Sequence, residues 1–203
     1  MAIKTRPTYT ENEVSKILKK SEDESVSAAD RGEGHAEGEH ELEAIGKNRA
    51  STTLSDLEER ITGAEKKTKS GAFDGCQAAA VAFALNKKAG QTALGYLCME
   101  TCEFVFVTID VSAGNFAIVA FDAAVTEKAP SGADFVVSPS GVVLPGLLVP
   151  VRTSAHGIAM KLMKTSGKEL HIRTAFPLTT APSPQKASIR WTHGGSQDQD
   201  LPV

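Results

Sequence analysis

Cysteine is scarce in this chain, and the three present, Cys76, Cys98 and Cys102, are an odd number that cannot close a disulfide framework. Cys98 and Cys102 lie four apart with no second ligand pair near them, so the spacing is not that of a structural zinc site. No apolar run approaches the ~18 residues a membrane-spanning helix needs. The basic start "MAIKTRPTYT" lacks the apolar stretch of a secretory signal, so export, if it occurs, uses a route that reads no signal peptide. No Gly-rich phosphate loop of the dinucleotide or P-loop kind follows a strand-like run, which leaves nucleotide-cofactor enzymes poorly supported. A basic excess is also missing: the net charge is −3 and the isoelectric point about 6.0. That excludes little more than a protein holding nucleic acid by bulk charge alone, and a local cluster of cations remains possible.

What is present suits a globular chain. Hydrophobic residues make up 41% and charged residues 23% of 203 residues, enough for one domain with tails or two small ones. Residues 1–33 are polar. They hold one amphipathic turn at Val14, Ile17 and Leu18 and a capping-box spacing from Thr10 to Glu13, so a short helix within a linker is expected. Leu54, Leu57 and Ile61 recur at helical spacing after Ser51, Thr52 and Thr53, which predicts a capped helix. "GAEKKTKSGAFDG" reads as a basic loop. "CQAAAVAFALNKKAGQTALGYL" reads as a helix broken near Gly90 and Gly95.

From Glu103 onward, β-branched and aromatic runs alternate with Gly, Pro, Asn and Ser. They predict an antiparallel sheet of about four to six strands. Helices first and strands after give an α+β fold, N-terminal helices packed on that sheet. The expected domain covers 34–180, with 181–203 as a flexible tail in which Ile189 to Trp191 can dock.

Several residues carry possible chemistry. "GHAEGEH" holds His35 and His40, and an imidazole with an ordinary pKa of about 6.5 serves as either acid or base near neutrality. Lys47, Arg49 and Arg60 follow, and Arg60, beside Leu57 and Ile61, is placed to point back along a core edge and grip a phosphate with its fork of donors. In "KELHIRTAFPL", a regular strand puts Leu170, Ile172, Thr174 and Phe176 on one face and His171, Arg173 and Ala175 on the other. Thr174 would then mark where the apolar face leaves the core, its hydroxyl free to bond a phosphate. His171 would face away. A competing pair is Cys76, at a helix start where the dipole favours a thiolate, with His156 at the start of a strand. Those are parts of a cysteine-dependent peptidase or amidase. A non-catalytic binding module, with "TAFP" a mere strand end, is the third reading.

The order "GHxxxxH", "DLxxRI", "SGAF…AAAVAFALN…GQTAL", strands and a terminal "LHIRTAFP" resembles the C-terminal ribonuclease domains of bacterial polymorphic toxins. These are similar to pancreatic ribonuclease and to the wider superfamily of barnase, EndoU, colicin nucleases and RelE toxins. The resemblance spans about His35 to Pro177. It implies a metal-independent ribonuclease without cofactor, with His40, Arg60 and Thr174 as catalytic residues and His35, Lys47, Phe176 and His171 as possible helpers. Phe176 stands where such toxins often carry tyrosine; it can stack on a base but has no proton to give. The resemblance also implies an RNA substrate, a cognate immunity protein, and action in the cytoplasm of a target cell after signal-independent secretion.

Overall fold

The structure, a computed structural model, describes residues 1–3, 8–23, 39–42 and 52–203. His35, Lys47 and Arg49 lie outside the described residues. The fold is α+β, as the order of elements predicts. Its centre is a five-stranded antiparallel sheet in the order β10-β9-β2-β11-β12. These strands are β2 (Cys102–Asp110), β9 (Gly157–Lys164), β10 (Leu170–Leu178), β11 (Lys186–Trp191) and β12 (Ser196–Asp200). A smaller antiparallel sheet has the order β1-β3-β8, from β1 (Lys69–Phe73), β3 (Ala117–Asp122) and β8 (Val151–Ser154). Two short hairpin-like pairs fill the stretch between β3 and β8: β4 (Thr126–Glu127) with β7 (Leu147–Leu148), and β5 (Val136–Val137) with β6 (Val143–Leu144).

Alternation decides which face of the large sheet is buried. Val105, Val107 and Ile109 of β2 sit beside Leu162, Met160 and Ile158 of β9, and beside Ile189 and Ala187 of β11. All eight are essentially inaccessible to solvent. Three helices cover them: α1 (Glu11–Asp23), α3 (Gln77–Asn86) and α4 (Lys88–Leu97). A further helix, α2 (Leu54–Thr62), packs Leu57 and Ile61 on Ala72, Val119 and Phe121 of the small sheet. No helix among the described residues is long and apolar enough to cross a membrane.

Four expectations change. The basic loop contains a strand: Lys69 to Phe73 pair with Asp122 to Ile118, and this pairing imposes β structure on a Ser-Gly-Ala run with little propensity of its own. The Ala-rich helix breaks at Lys87, whose extended backbone (φ −68°, ψ 158°) separates α3 from α4. Gly90 lies inside α4 and allows close packing instead, since a Cβ there would stand 2.1 Å from the Ala84 carbonyl oxygen. The first segment is more than a linker, because Tyr9, Val14, Ile17 and Leu18 enter the main core. The tail is likewise structural: β11 lies between β2 and β12, with Ala187 and Ile189 fully buried.

Candidate functional site

The regular alternation expected of "LHIRTAFP" is broken by a bulge. Ile172 faces Leu162, but Thr174 faces Lys161, so Arg173 is an extra residue opposite no partner. The bulge reverses every face after it. Ala175, fully buried, joins Leu170 and Ile172 in the core. Thr174, Phe176 and Leu178 turn to the opposite face, which is also the face of His171. The expectation that Thr174 shares a face with Ile172, and that His171 points the other way, is therefore overturned by one inserted residue.

His40 is positioned by the two residues after it. The Leu42 N–H donates to the Phe73 carbonyl at 2.9 Å, and Glu41 forms a bridge with Phe73 at the end of β1. The Thr52 N–H donates to the Glu41 carbonyl at 3.0 Å. The Glu41 carboxylate accepts the Gln77 N–H at the start of α3, at 2.9 Å. The His40 ring comes to 5.3 Å from the Phe176 ring, tilted by 45°, and Phe176 in turn lies 6.5 Å from Phe106.

Arg60 arrives on α2. A capping box starts that helix: the Thr53 hydroxyl accepts the Asp56 N–H, and the Asp56 carboxylate accepts the Thr53 N–H. These bonds, and Thr53 Oγ1 donating to the same carboxylate, hold Asp56 below the usual carboxylate range, while Arg60 adds a smaller pull in the same direction. From the last turn, Arg60 Nη2 reaches back to Thr52 Oγ1 at 3.3 Å. It has no carboxylate within ion-pair distance among the described residues, in contrast with Lys67, which pairs with Glu65, and Lys69, which pairs with Asp122 at 3.0 Å.

These side chains meet at one cavity of about 620 Å³. One wall is the face of the small sheet that carries Lys69, Gly71, Ile118, Ala120, Asp122, Val151 and Thr153, neighbours across the strands by register. The other is β10, through Thr174, Phe176, Pro177 and Leu178. His40, Arg60, Thr174 and Phe176 all line it, so four of the residues singled out in the sequence are brought together. His171 is buried and does not line it. The Thr174 hydroxyl is buried without a hydrogen-bond partner, and so is that of Ser70 on the same cavity. An unsatisfied buried hydroxyl costs about 1–3 kcal/mol.

Cys76 and His156 are not joined. The Cys76 thiol donates to the Ala117 carbonyl at 3.2 Å. Burial pushes the thiol up to about 11, and the neighbouring Glu41 and Asp74 carboxylates add to the rise. Cys76 does precede α3, as the sequence predicts, but the Glu41 carboxylate already occupies that helix start. His156 is exposed, with its carbonyl bonded to the Val111 N–H. Among the described residues, no three His, Cys, Asp or Glu side chains are grouped to hold a metal ion.

Sequence reasoning overlooked Glu41 and Gln77. Glu41 adjoins His40 but reads as one more acid in a run of glutamates, and Gln77 reads as an ordinary helix residue. Their polar side chains find partners 36 and 98 residues away along the chain. Comparison with protein-family models, curated proteins and solved structures yields no match.

Proposed function

We propose that this chain is an endoribonuclease effector of the toxin type, cutting RNA by attack of a 2′-hydroxyl on the adjacent phosphate. The observation that carries the reading is the meeting of His40, Arg60 and Thr174 on one cavity, with no carboxylate at ion-pair distance from the guanidinium among the described residues and the threonine hydroxyl unsatisfied. A half-buried guanidinium with no carboxylate at ion-pair distance among the described residues is suited to an anion, and its planar donors match two phosphate oxygens.

In this reading the attacking 2′-oxygen bonds to phosphorus as its proton leaves. The P–O5′ bond breaks and O5′ gains a proton. The products are a 2′,3′-cyclic phosphate and a 5′-hydroxyl. His40 performs one of the two proton transfers. Arg60 offsets the negative charge that builds on the phosphorane, and the Thr174 hydroxyl fixes one non-bridging oxygen. Phe176, beside His40, offers its ring to a base. RNA is the substrate, and a cognate immunity protein is the expected partner. Action in a target-cell cytoplasm after signal-independent export belongs to the same reading.

The peptidase alternative is weakened by the Cys76 thiol, which burial and two carboxylates hold protonated. A binding module gives no reason for the three groups to converge.

The test is incubation of the native chain, His40→Ala and Cys76→Ser with total bacterial RNA in EDTA. Cleavage by the native chain and by Cys76→Ser, with a loss of about 10²–10⁴ in His40→Ala, is the expected result. Absence of cleavage by the native chain at high concentration and several pH values overturns the reading.

A further inference from the structure

The bulge at Arg173 is what turns Thr174 and Phe176 toward the cavity, and two buried side chains hold it from both sides. β10 is an edge strand of the large sheet, so half of its backbone groups have no strand to bond. Just before the bulge, the Ile172 N–H donates to Ser21 Oγ of α1 at 3.0 Å. Just after it, the Ala175 carbonyl accepts from Gln77 Nε2 of α3 at 2.8 Å. Ser21 and Gln77 are each only 2% exposed, so water cannot replace either bond. Gln77 also gives its own N–H to Glu41, the residue after His40. One glutamine thus ties the strand that bears Thr174 and Phe176 to the segment that bears His40.

We propose that Ser21 and Gln77 are positioning residues: they clamp the β10 bulge, and Gln77 through Glu41 sets His40 in register with Thr174 and Phe176. This inference rests on the ribonuclease reading for its catalytic consequence, but its geometric content stands apart from it. If the clamp slackens, the strand can shed the bulge, and regular alternation returns Thr174 and Phe176 to the core side. Bulges commonly serve to re-aim side chains beside active sites.

The readout independent of activity is the NMR signal of the His40 Cε1–H, displaced by the Phe176 ring 5.3 Å away. Phe176→Leu gives the position of that signal without the ring. In Gln77→Ala, the His40 signal is expected to move toward the Phe176→Leu position while most other amide signals stay in place. Cleavage should lose kcat by about 10²-fold, as small misplacements of reacting groups do, with KM little changed. Gln77→Glu supplies the second variant. Its carboxyl can donate to the Ala175 carbonyl only when protonated, and burial beside the Glu41 carboxylate favours that form, so its difference from the native chain should close as pH falls and at a pH above the ordinary glutamate value of about 4.3. Ser21→Ala should move the signal in the same sense.

An unmoved His40 signal in both folded Gln77 variants overturns the clamp, whether or not the chain cuts RNA. Should Gln77→Ala not fold, the pH-dependent recovery of Gln77→Glu decides, and its absence overturns the proposal. A native chain that cuts no RNA but shows the expected signal shifts refutes the ribonuclease reading and leaves the clamp intact.

Discussion

A guanidinium differs from an ammonium in shape as much as in charge, and Arg60 is where that difference becomes measurable. It lines the cavity and bonds Thr52 rather than a carboxylate. If it carries charge from a phosphorane, Arg60→Ala should lower kcat/KM by about 10²–10³. Arg60→Lys keeps the charge and loses the fork, so it should restore only part of that loss. Equal rates in the native chain and Arg60→Ala would remove the residue from the mechanism. Cys76 supplies the opposite case. Its thiol is pushed up to about 11 by burial first and the Glu41 charge second. At pH 8 roughly one thiol in a thousand is then ionised, against about a quarter for an unperturbed cysteine. Alkylation of Cys76, followed by mass spectrometry, should therefore be slow at pH 8 and should quicken about tenfold per pH unit toward pH 11. Rapid labelling at neutral pH would show a thiolate that the surroundings here do not support.

At the scale of the element, α2 places Arg60 at the cavity while burying Leu57 and Ile61, and its start was readable from residue type. Thr53 with Asp56 forms a reciprocal cap. Thr53→Ala should cost about 1 kcal/mol in urea unfolding. The pH dependence has a definite sign. Asp56 is held below its ordinary value of 3.8, chiefly by the Thr53 backbone and side chain. Its contribution is present above the unfolded value of about 3.9 and fades as pH falls through the lower folded value. The gap between the native chain and Thr53→Ala should narrow below pH 4. A gap that stays constant down to pH 2 would mean the cap does not depend on the carboxylate. β10 shows the limit of such reading. Its apolar residues at 170, 172 and 176 fit an unbroken strand as well as a bulged one. What selects the bulge is a serine 151 residues away and a glutamine 98 residues away, and neither leaves a mark in the local pattern. β1 was missed for the same reason: Ser-Gly-Ala becomes a strand only because β3 lies beside it.

For the molecule as a whole, composition and the order of runs were enough for the α+β class, and a handful of side chains was enough to point at one cavity. The boundaries were not legible, because polarity along the chain does not report which few apolar residues a segment buries. Residues 8–23 look like a linker on average, yet Tyr9, Val14, Ile17 and Leu18 are each no more than 3% exposed. At roughly 1.5–3 kcal/mol per fully buried Val, Ile or Leu, Val14, Ile17 and Leu18 alone contribute about 5–9 kcal/mol. A whole domain is stable by only about 5–15 kcal/mol. Polar contacts add to the docking: Asn86 at the end of α3 bonds both the N–H and the carbonyl of Tyr9, and Lys20 pairs with Glu169 at 2.5 Å ahead of β10. Removing residues 1–23 would also take away Ser21, one of the two side chains that flank the bulge. A chain beginning at residue 24 should therefore lose its cooperative unfolding transition and bind a hydrophobic dye at neutral pH. It should also lose any cleavage activity, although His40, Arg60 and Thr174 are all retained. A truncated chain that unfolds cooperatively near the native midpoint would show that the segment ending in α1 is dispensable, and the burial of Tyr9, Val14, Ile17 and Leu18 would then need to be small in free energy despite its area.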